Sequence, residues 1–296
     1  SSTSRGLGDV YKRQIPFVVL TPFSKEVRRR IANEDLAGVD YVFSWLGNVD
    51  LILAIIKLIE DRMNADNDIN EVGVQAVLLI EDSIRFYSSV LPHLFKYLLK
   101  QSMEFSTEAL NEHEMMLRMR GRPKVLLARD YEEATELYRK YGDNMLGIIS
   151  DVRFPLGGSK DGAAGLKFAY MVRRDNPFMP IIMESSEAEN REKVRELGYV
   201  FLDKNSKTLP QDLRDAVGKH FGFGDFVVTD PATGMEIMRI HDLKGLQNNI
   251  FNIPSDSLFY HCSSNDVSRW LYSRALFPIA DAVKSFRFTK MDEAPM

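Results

Sequence analysis

Side chains capable of chemistry follow four short apolar runs between residues 74 and 217. Glu81 and Asp82 follow the first run, Asp151 the second, Ser185 the third and Lys204 the fourth. Residues just past the carboxyl ends of neighbouring parallel strands converge on one crevice. The pattern therefore predicts a crevice that holds three carboxylates, a hydroxyl and an ammonium, a set of groups suited to accepting a phosphoryl group.

The elements that must position these groups alternate between strand and helix. Continuous apolar runs are typical of strands buried on both faces of a parallel sheet. Helical patterns between the runs predict an α/β fold in which helices cover the sheet on both sides. The predicted strands are 74–80, 124–128, 146–150, 180–183 and 199–202. The predicted helices are 84–101, bent or interrupted at Pro92, 106–120, one capped by Asp130, 165–174, 188–197 and 209–219.

Over residues 73–220 the chain resembles the receiver (CheY-like) domains of two-component response regulators. The matching positions are the acidic pair Glu81-Asp82, the phosphoacceptor Asp151 with Pro155 four residues later, Asp161-Gly162, the hydroxyl Ser185, the lysine Lys204 and the aromatic switch position Phe201. The resemblance implies a flavodoxin-like, doubly wound, five-stranded parallel sheet. Two departures are a long connection before Lys124 and Asn205 in place of the family's usual proline.

The resemblance also implies the roles of the site residues. Mg²⁺ prefers hard oxygen ligands, and those expected here are Glu81, Asp82, Asp151 and the backbone carbonyl of Arg153. Asp151 would attack the phosphorus in line, while the metal and Lys204 stabilise the transferring oxygens. Ser185 would donate a hydrogen bond to the phosphoryl group, and Phe201 would change its position on phosphorylation.

Each of these residues alone has an ordinary structural explanation. A Glu-Asp pair is usually a solvated turn, an aspartate after a strand usually caps a helix, and a lysine at a strand end is usually a surface charge. The combination, in the order and spacing of the family, favours the functional interpretation. A hydrolase with an aspartate nucleophile usually has a second acid two residues later, and Arg153 occupies that position here.

The chain is predicted to have four parts. Residues 1–14 are a non-native or disordered tail, 15–70 the second half of a degenerate receiver, 73–220 the receiver, and 221–296 a mostly helical connector at the start of a truncated downstream domain. The first half-domain is inferred from an internal repeat, because 16–21 parallels 180–185 and 41–43 parallels 199–201. Its lysine position falls on Trp45 or Leu46, so we expect a structural or interaction role. We also expect the receiver to fold without it, since half a sheet leaves an unpaired edge.

The connector is predicted to contain strands 226–228 and 235–239 and helices 243–250 and 264–286. Its stretch 261–271, together with Arg274, resembles the connectors that join receivers to phosphoenolpyruvate synthase-like, ATP- and pyruvate-binding domains. His261 is interpreted as a capping or packing histidine in preference to a phosphohistidine.

Composition excludes several classes of function. The 296 residues carry a net charge of -4 without a strongly basic stretch, so nothing favours nucleic acid as a partner. Cys262 is the only cysteine, which rules out an intrachain disulfide and fits a reducing cytoplasm. Neither a membrane span nor a signal-peptide pattern is found in the sequence.

Three functions remain open from the sequence. The leading hypothesis is a phosphorylation-gated signalling module that is not itself an enzyme. The resemblance implies a histidine kinase or phosphotransfer protein as its phosphoryl donor and a downstream output domain as its target. The alternatives are the regulatory N-terminal part of a phosphoenolpyruvate synthase- or pyruvate phosphate dikinase-like enzyme, and a scaffold that uses receiver folds for docking without switching.

Overall fold

A computed structural model describes residues 16–22, 38–109 and 111–285. The tail predicted at 1–14, the helical pattern around Arg28 and the last residues of the connector lie outside these ranges. The strands are β1 Val18–Pro22, β2 Tyr41–Trp45, β3 Ala76–Ile80, β4 Lys124–Ala128, β5 Met145–Asp151, β6 Phe154–Leu156, β7 Ser159–Asp161, β8 Ile181–Ser185, β9 Val200–Asp203, β10 Phe226–Thr229 and β11 Glu236–Ile240. The α-helices are Asp50–Ala65, Ile84–Ser106, Glu112–Arg120, Tyr131–Tyr141, Ala164–Asp175, Asn190–Glu196, Leu209–His220, Leu243–Asn249, Ser255–Ser263, Asp266–Ser273 and Phe277–Ser285. Among the described helices, none is both long and apolar enough to cross a bilayer.

Five parallel strands form the central sheet, in the order β4-β3-β5-β8-β9. Counted within this sheet, the order is 2-1-3-4-5, which is the flavodoxin-like arrangement. The predicted α/β fold class is therefore confirmed. In this arrangement the carboxyl ends of β3, β5, β8 and β9 lie side by side at one edge.

Successive residues of β3 explain why its sequence is apolar without interruption. Val77 and Leu79 belong to the core on one face of the sheet, and Leu78 and Ile80 belong to the core on the other. Side chains alternate between the two faces of a strand, so a strand covered on both sides needs apolar residues at every position. The same pattern gives Leu146 and Ile149 to the first core and Ile148 to the second.

The long helix after β3 differs from its prediction. It runs without a break from Ile84 to Ser106 although Pro92 lies inside it. Leu91, Leu94 and Phe95 are almost fully buried around the proline, and burial of this kind outweighs the lost backbone hydrogen bond. The second predicted helix begins at Glu112 and not at 106, because the side chain of Asn111 caps it by accepting a hydrogen bond from the Glu114 amide.

The connector packs directly on the main sheet. Trp270 and Phe223 belong to the same core as Val77, and the Trp270 indole donates to the Gly224 carbonyl at 3.0 Å. Phe221 lies so close to Gly147 of β5 that a Cβ atom there would come within 2.1 Å of its ring. The predicted single helix 264–286 is wrong: two helices meet at Arg274–Leu276, where Ala275 has a φ of 57°. Pro278 explains the break, since proline is tolerated only in the first turn of a helix.

The segment before β3 packs into the same core as the main sheet. Tyr41, Phe43, Leu51 and Leu58 are buried together with Leu79 and Leu94. The Ser44 amide donates to Ser88 Oγ at 3.0 Å, which ties β2 to the helix Ile84–Ser106. The segment and the main sheet thus share one core, and that residues 73–220 fold without the segment stays a prediction.

A buried ion pair joins this segment to the edge strand of the sheet. Asp61, fully buried in the helix Asp50–Ala65, accepts two hydrogen bonds from the Arg122 guanidinium, at 2.5 and 3.1 Å. It also accepts the Val125 amide at 2.8 Å. Lys124 lies 3.7 Å from the same carboxylate and 2.6 Å from Asp68. One carboxylate of the earlier segment thus satisfies charged and polar groups at the start of β4.

We expect Asp61→Ala to lower the free energy of unfolding by about 3–5 kcal/mol, because it leaves a buried guanidinium uncompensated. Chemical denaturation measures the loss. Asp50→Ala is the matched control, because Asp50 lies in the same helix as Asp61. It breaks an exposed pair with Lys96 and should cost no more than about 1 kcal/mol. Equal losses in the two variants would contradict the assignment of Asp61 as the joint between the segments.

Candidate functional site

Three carboxylates meet at the carboxyl edge of the sheet. Glu81 and Asp82 directly follow β3, and Asp151 is the last residue of the neighbouring strand β5. Oxygens from all three lie within 4.8 Å of one another. Asp82 Oδ1 is buried and has no hydrogen-bond partner among the described residues, so one oxygen of the cluster is free to bind a ligand. A set of clustered carboxylate oxygens with one left unpaired fits a hard divalent cation such as Mg²⁺.

Lys204 joins two of these carboxylates. Its Nζ lies 2.5 Å from Glu81 Oε2 and 2.7 Å from Asp151 Oδ2, and its side chain is 3% exposed. The Lys204 amide donates to the Ser185 carbonyl at 2.9 Å, which holds the residue at the end of β9. The Phe86 ring lies 4.4 Å from the ammonium and covers it on another side. The ammonium is therefore held in position from three directions.

Ser185 ends β8, one strand away from Asp151. Its hydroxyl oxygen accepts hydrogen bonds from the Glu187 amide at 3.1 Å and from Asn190 Nδ2 at 2.9 Å. A serine hydroxyl has two acceptor positions and one donor. Both acceptor positions are used, and within the described ranges the hydroxyl hydrogen has no acceptor. Ser185 therefore offers a donor, although it makes no hydrogen bond to the three carboxylates.

Phe201 and Arg153 make no ion pair or hydrogen bond to Glu81, Asp82 or Lys204 among the described contacts, and only Arg153 contacts Asp151. Phe201 pairs in register with Met183 and is partly buried, with the Arg191 guanidinium 5.3 Å from its ring centre. The Arg153 amide donates to Asp151 Oδ1 at 3.2 Å, and its side chain pairs with Glu187 at 2.7 Å. Residue 153 thus lies beside Asp151, while the role of its carbonyl as a metal ligand stays a prediction.

Glu184 is a fourth carboxylate, which sequence reasoning missed. It is the register partner of Asp151, it is 1% exposed, and its Oε1 has no partner in the described part of the chain. The available signal was a charged residue that continues the apolar run Ile181-Ile182-Met183 into the buried part of a strand. A carboxylate is almost never buried in this way unless it is paired, so the position itself marks a site.

Lys160 is a second cation that the sequence analysis missed. Its Nζ lies 2.9 Å from Asp82 Oδ2. It belongs to β7, which pairs antiparallel with β6 around Gly157 and Gly158. Two glycines between short strand-forming segments are a hairpin signal, and this signal could have placed Lys160 near the strand ends.

Burial and crowding of like charge shift the pKa values of the site. Burial raises the pKa of Glu184 to about 7, with the Lys204 charge opposing and the Asp151 charge adding to the shift. Burial likewise raises the pKa of Glu81 to about 8, against the effect of Lys204. Burial works to lower the pKa of Lys204, but Glu81, Asp151 and Glu184 outweigh it and raise that pKa. The site therefore keeps its ammonium charged and favours the protonated forms of Glu81 and Glu184.

His261 in the connector is engaged through both ring nitrogens. Its Nε2 accepts the Thr229 amide at 3.0 Å, and its Nδ1 lies 2.9 Å from Asp266 Oδ2. An acceptor at Nε2 and a carboxylate at Nδ1 fix the tautomer and leave neither nitrogen free as a nucleophile. This geometry agrees with the interpretation of His261 as a packing residue.

Comparisons with known proteins found no match to a family model or a curated protein and a weak similarity in structure. A solved structure, the crystal structure of a response regulator receiver domain protein from Clostridium thermocellum, covers 49% of this chain and 93% of its own, with 17% identity and a TM-score of 0.33. Overlap at this level carries no argument about function, which therefore rests on the geometry of the site.

We expect the metal-free protein to lose stability as the pH rises from about 4.5 to about 7, because the unfolded chain ionises Glu184 in this interval while the folded chain keeps its proton. Glu184→Gln removes the part of this loss that comes from Glu184 and leaves the part that comes from the raised pKa of Glu81. The variant should exceed the wild type at pH 8 by up to about 3 kcal/mol and equal it near pH 4.5. Denaturation in the presence of a chelator measures the difference.

The control for this experiment is Glu189→Gln, which neutralises an exposed carboxylate on the loop after β8. It should leave the pH dependence of the wild type in place. A constant difference between Glu184→Gln and the wild type across this pH range would show that Glu184 does not titrate there.

Proposed function

We propose that residues 73–220 form a phosphorylation-gated receiver module, in which Asp151 accepts a phosphoryl group with the help of Mg²⁺. The observation that carries the proposal is the position of Lys204. Its ammonium contacts both Asp151 and Glu81, and these two carboxylates with Asp82 form the cluster suited to a divalent cation. A buried lysine that is held against an acidic cluster can neutralise the negative charge of phosphoryl oxygens.

The residues divide the chemistry between them. Bound Mg²⁺ would neutralise the carboxylates so that a phosphoryl group can approach them. An oxygen of Asp151 forms the new bond to phosphorus, while the bond from phosphorus to the donor's leaving oxygen or nitrogen breaks. The second oxygen of the Asp151 carboxyl group then becomes the acyl oxygen of the product. Lys204 remains beside the transferred group and balances its charge.

Ser185 links the site to the rest of the fold. Its unused hydroxyl hydrogen can be donated to a phosphoryl oxygen on Asp151, and its acceptor positions hold Asn190 at the start of the helix Asn190–Glu196. A shift of Ser185 toward the phosphoryl group would therefore displace the start of that helix. It would also displace Arg191 of the helix, which lies over the Phe201 ring. This supports a switch that runs through β8, β9 and the helix between them.

The proposal extends to partners and location. A histidine kinase or a phosphotransfer protein would supply the phosphoryl group, and the receiver itself would not be an enzyme. The connector follows the helix Leu209–His220 within a few residues and shares its core, so it is suited to carry the signal to a downstream output domain. Acidic composition and a single cysteine support a cytoplasmic location.

We expect acetyl phosphate with Mg²⁺ to phosphorylate Asp151, because the cluster and the ammonium are assembled around that carboxylate. Mass spectrometry of the intact protein and of its peptides should show the mass of one phosphoryl group in the wild type and none in Asp151→Asn. Asp203→Asn is the matched control, since Asp203 also ends a strand of the sheet but pairs with Arg191 outside the cluster. An equal mass gain in wild type and Asp151→Asn would sink the proposal.

We expect beryllofluoride with Mg²⁺, standing in for the phosphoryl group, to change amide exchange in residues 188–219 and in the connector. Ser185→Ala should weaken this change, because it removes the hydroxyl that joins the site to Asn190. Ser186→Ala, an exposed neighbour, is the control and should behave as the wild type. Exchange changes confined to the loops around Asp82 and Asp151 would favour a scaffold that binds the group without switching.

A further inference from the structure

A short hairpin follows the phosphoacceptor closely. Its strands β6 and β7 are joined by Gly157 and Gly158, whose φ values are 62° and 81°. Both residues have the left-handed backbone that a tight two-residue hairpin turn requires, and glycine adopts it without strain. The hairpin therefore has a defined backbone conformation within the loop after β5.

Contacts at both ends hold the hairpin in place. Phe154 at its start is fully buried in the core, and the Gly157 amide at its tip donates to Glu132 Oε1 at 3.0 Å. At its end, Asp161 Oδ1 accepts the Ala163 amide at 2.8 Å. Anchored in this way, the hairpin holds the backbone of Lys160 at a fixed distance from the strand ends.

Lys160 directs its ammonium at the one carboxylate of the cluster that Lys204 does not contact. Its Nζ lies 2.9 Å from Asp82 Oδ2, while Lys204 pairs with Glu81 and Asp151. The side chain of Asp82 is 18% exposed and that of Lys160 is 49% exposed. The contact thus lies at the entrance to the cluster, where Lys160 can exchange it for water at low cost.

We infer that Lys160 is a built-in competitor of the divalent cation: its ammonium holds Asp82 Oδ2 and opposes a cation that binds the same carboxylate. The inference rests on the proposed function, because it concerns the same metal site. A divalent cation on Asp82 and an ammonium on the same carboxylate repel each other at short range. Lys160 therefore sets the cation concentration at which the receiver becomes competent to accept a phosphoryl group.

The effect of Lys160 on the affinity for Mg²⁺ is expected to be small. An ammonium that is half exposed interacts weakly with its carboxylate, so its removal should tighten Mg²⁺ binding by about two- to fivefold and not by orders of magnitude. The effect should shrink as ionic strength rises, since exposed charges are screened. Lys160→Arg keeps the charge and should bind Mg²⁺ with close to the affinity of the wild type.

The experiment compares Mg²⁺ affinities of the full chain by calorimetric titration at low ionic strength. Lys160→Gln removes the ammonium but keeps most of the length of the side chain. Lys167→Gln is the matched control, because Lys167 has a similar exposure. It pairs with Asp161 at the end of the hairpin and not with a carboxylate of the cluster. Both variants change the net charge equally, so long-range effects cancel in the comparison.

Tighter Mg²⁺ binding in Lys160→Gln than in Lys167→Gln supports the inference, and equal or weaker binding overturns it. The proposed metal site is tested separately by Asp82→Asn, which should weaken the affinity of the wild type. If Asp82→Asn binds Mg²⁺ as tightly as the wild type, or if neither protein binds it, the metal centre of the proposed function fails. A difference between Asp82→Asn and wild type, together with equal affinities in the two lysine variants, removes only the inference about Lys160.

Discussion

The buried contact of Lys204 with Glu81 and Asp151 is the interaction on which the site depends. Removing an ammonium and two carboxylates from water is costly, and the cost is recovered only when the partners are held in good geometry. Here the geometry comes from three strands, since Glu81 follows β3, Asp151 ends β5 and Lys204 follows β9. Glu184 is buried near this contact, where its Oε1 has no hydrogen bond from any described residue and burial raises its pKa. Positive charge brought by a divalent cation favours the ionised form of carboxylates that are crowded in this way, which suits the cluster to such a cation.

The sheet enforces this arrangement through its register. Asp151 is level with Glu184, and Ser185 is level with Asp203, immediately before Lys204. Parallel pairing fixes these neighbours by backbone hydrogen bonds, so each side chain starts from a defined point at the sheet edge. The helix Ala164–Asp175 approaches the same edge at Gly165, where a Cβ atom would lie 2.2 Å from the Asp151 carbonyl oxygen. The site is therefore enclosed by close-packed backbone as well as by charged side chains.

The sequence predicted those parts of the molecule that depend on periodicity and on strand ends. Continuous apolar runs identify strands covered on both faces, and the residues after them identified Glu81, Asp82, Asp151 and Lys204 as neighbours. Contacts between residues that are distant along the chain have no such signal. Arg122 pairs with Asp61 across 61 positions of the sequence. Lys160 pairs with Asp82 from the hairpin Phe154–Asp161, and there the two glycines of the turn were the one available signal. Glu184 was overlooked because a carboxylate at the end of an apolar run is usually assigned to the solvent.

Phe221 and Gly147 link the central sheet to the connector by a contact that does not involve any polar group. The Phe221 ring fills the space that a side chain at residue 147 would need, and Gly147 lies on the same strand as Asp151. Close-packed interiors transmit small displacements because they contain no free volume to absorb them. A movement of β5 along its axis therefore reaches the first residue of the connector by direct steric contact. Because residue 147 is glycine, a displacement of Asp151 along β5 is passed to Phe221 over the five residues from Gly147 to Asp151.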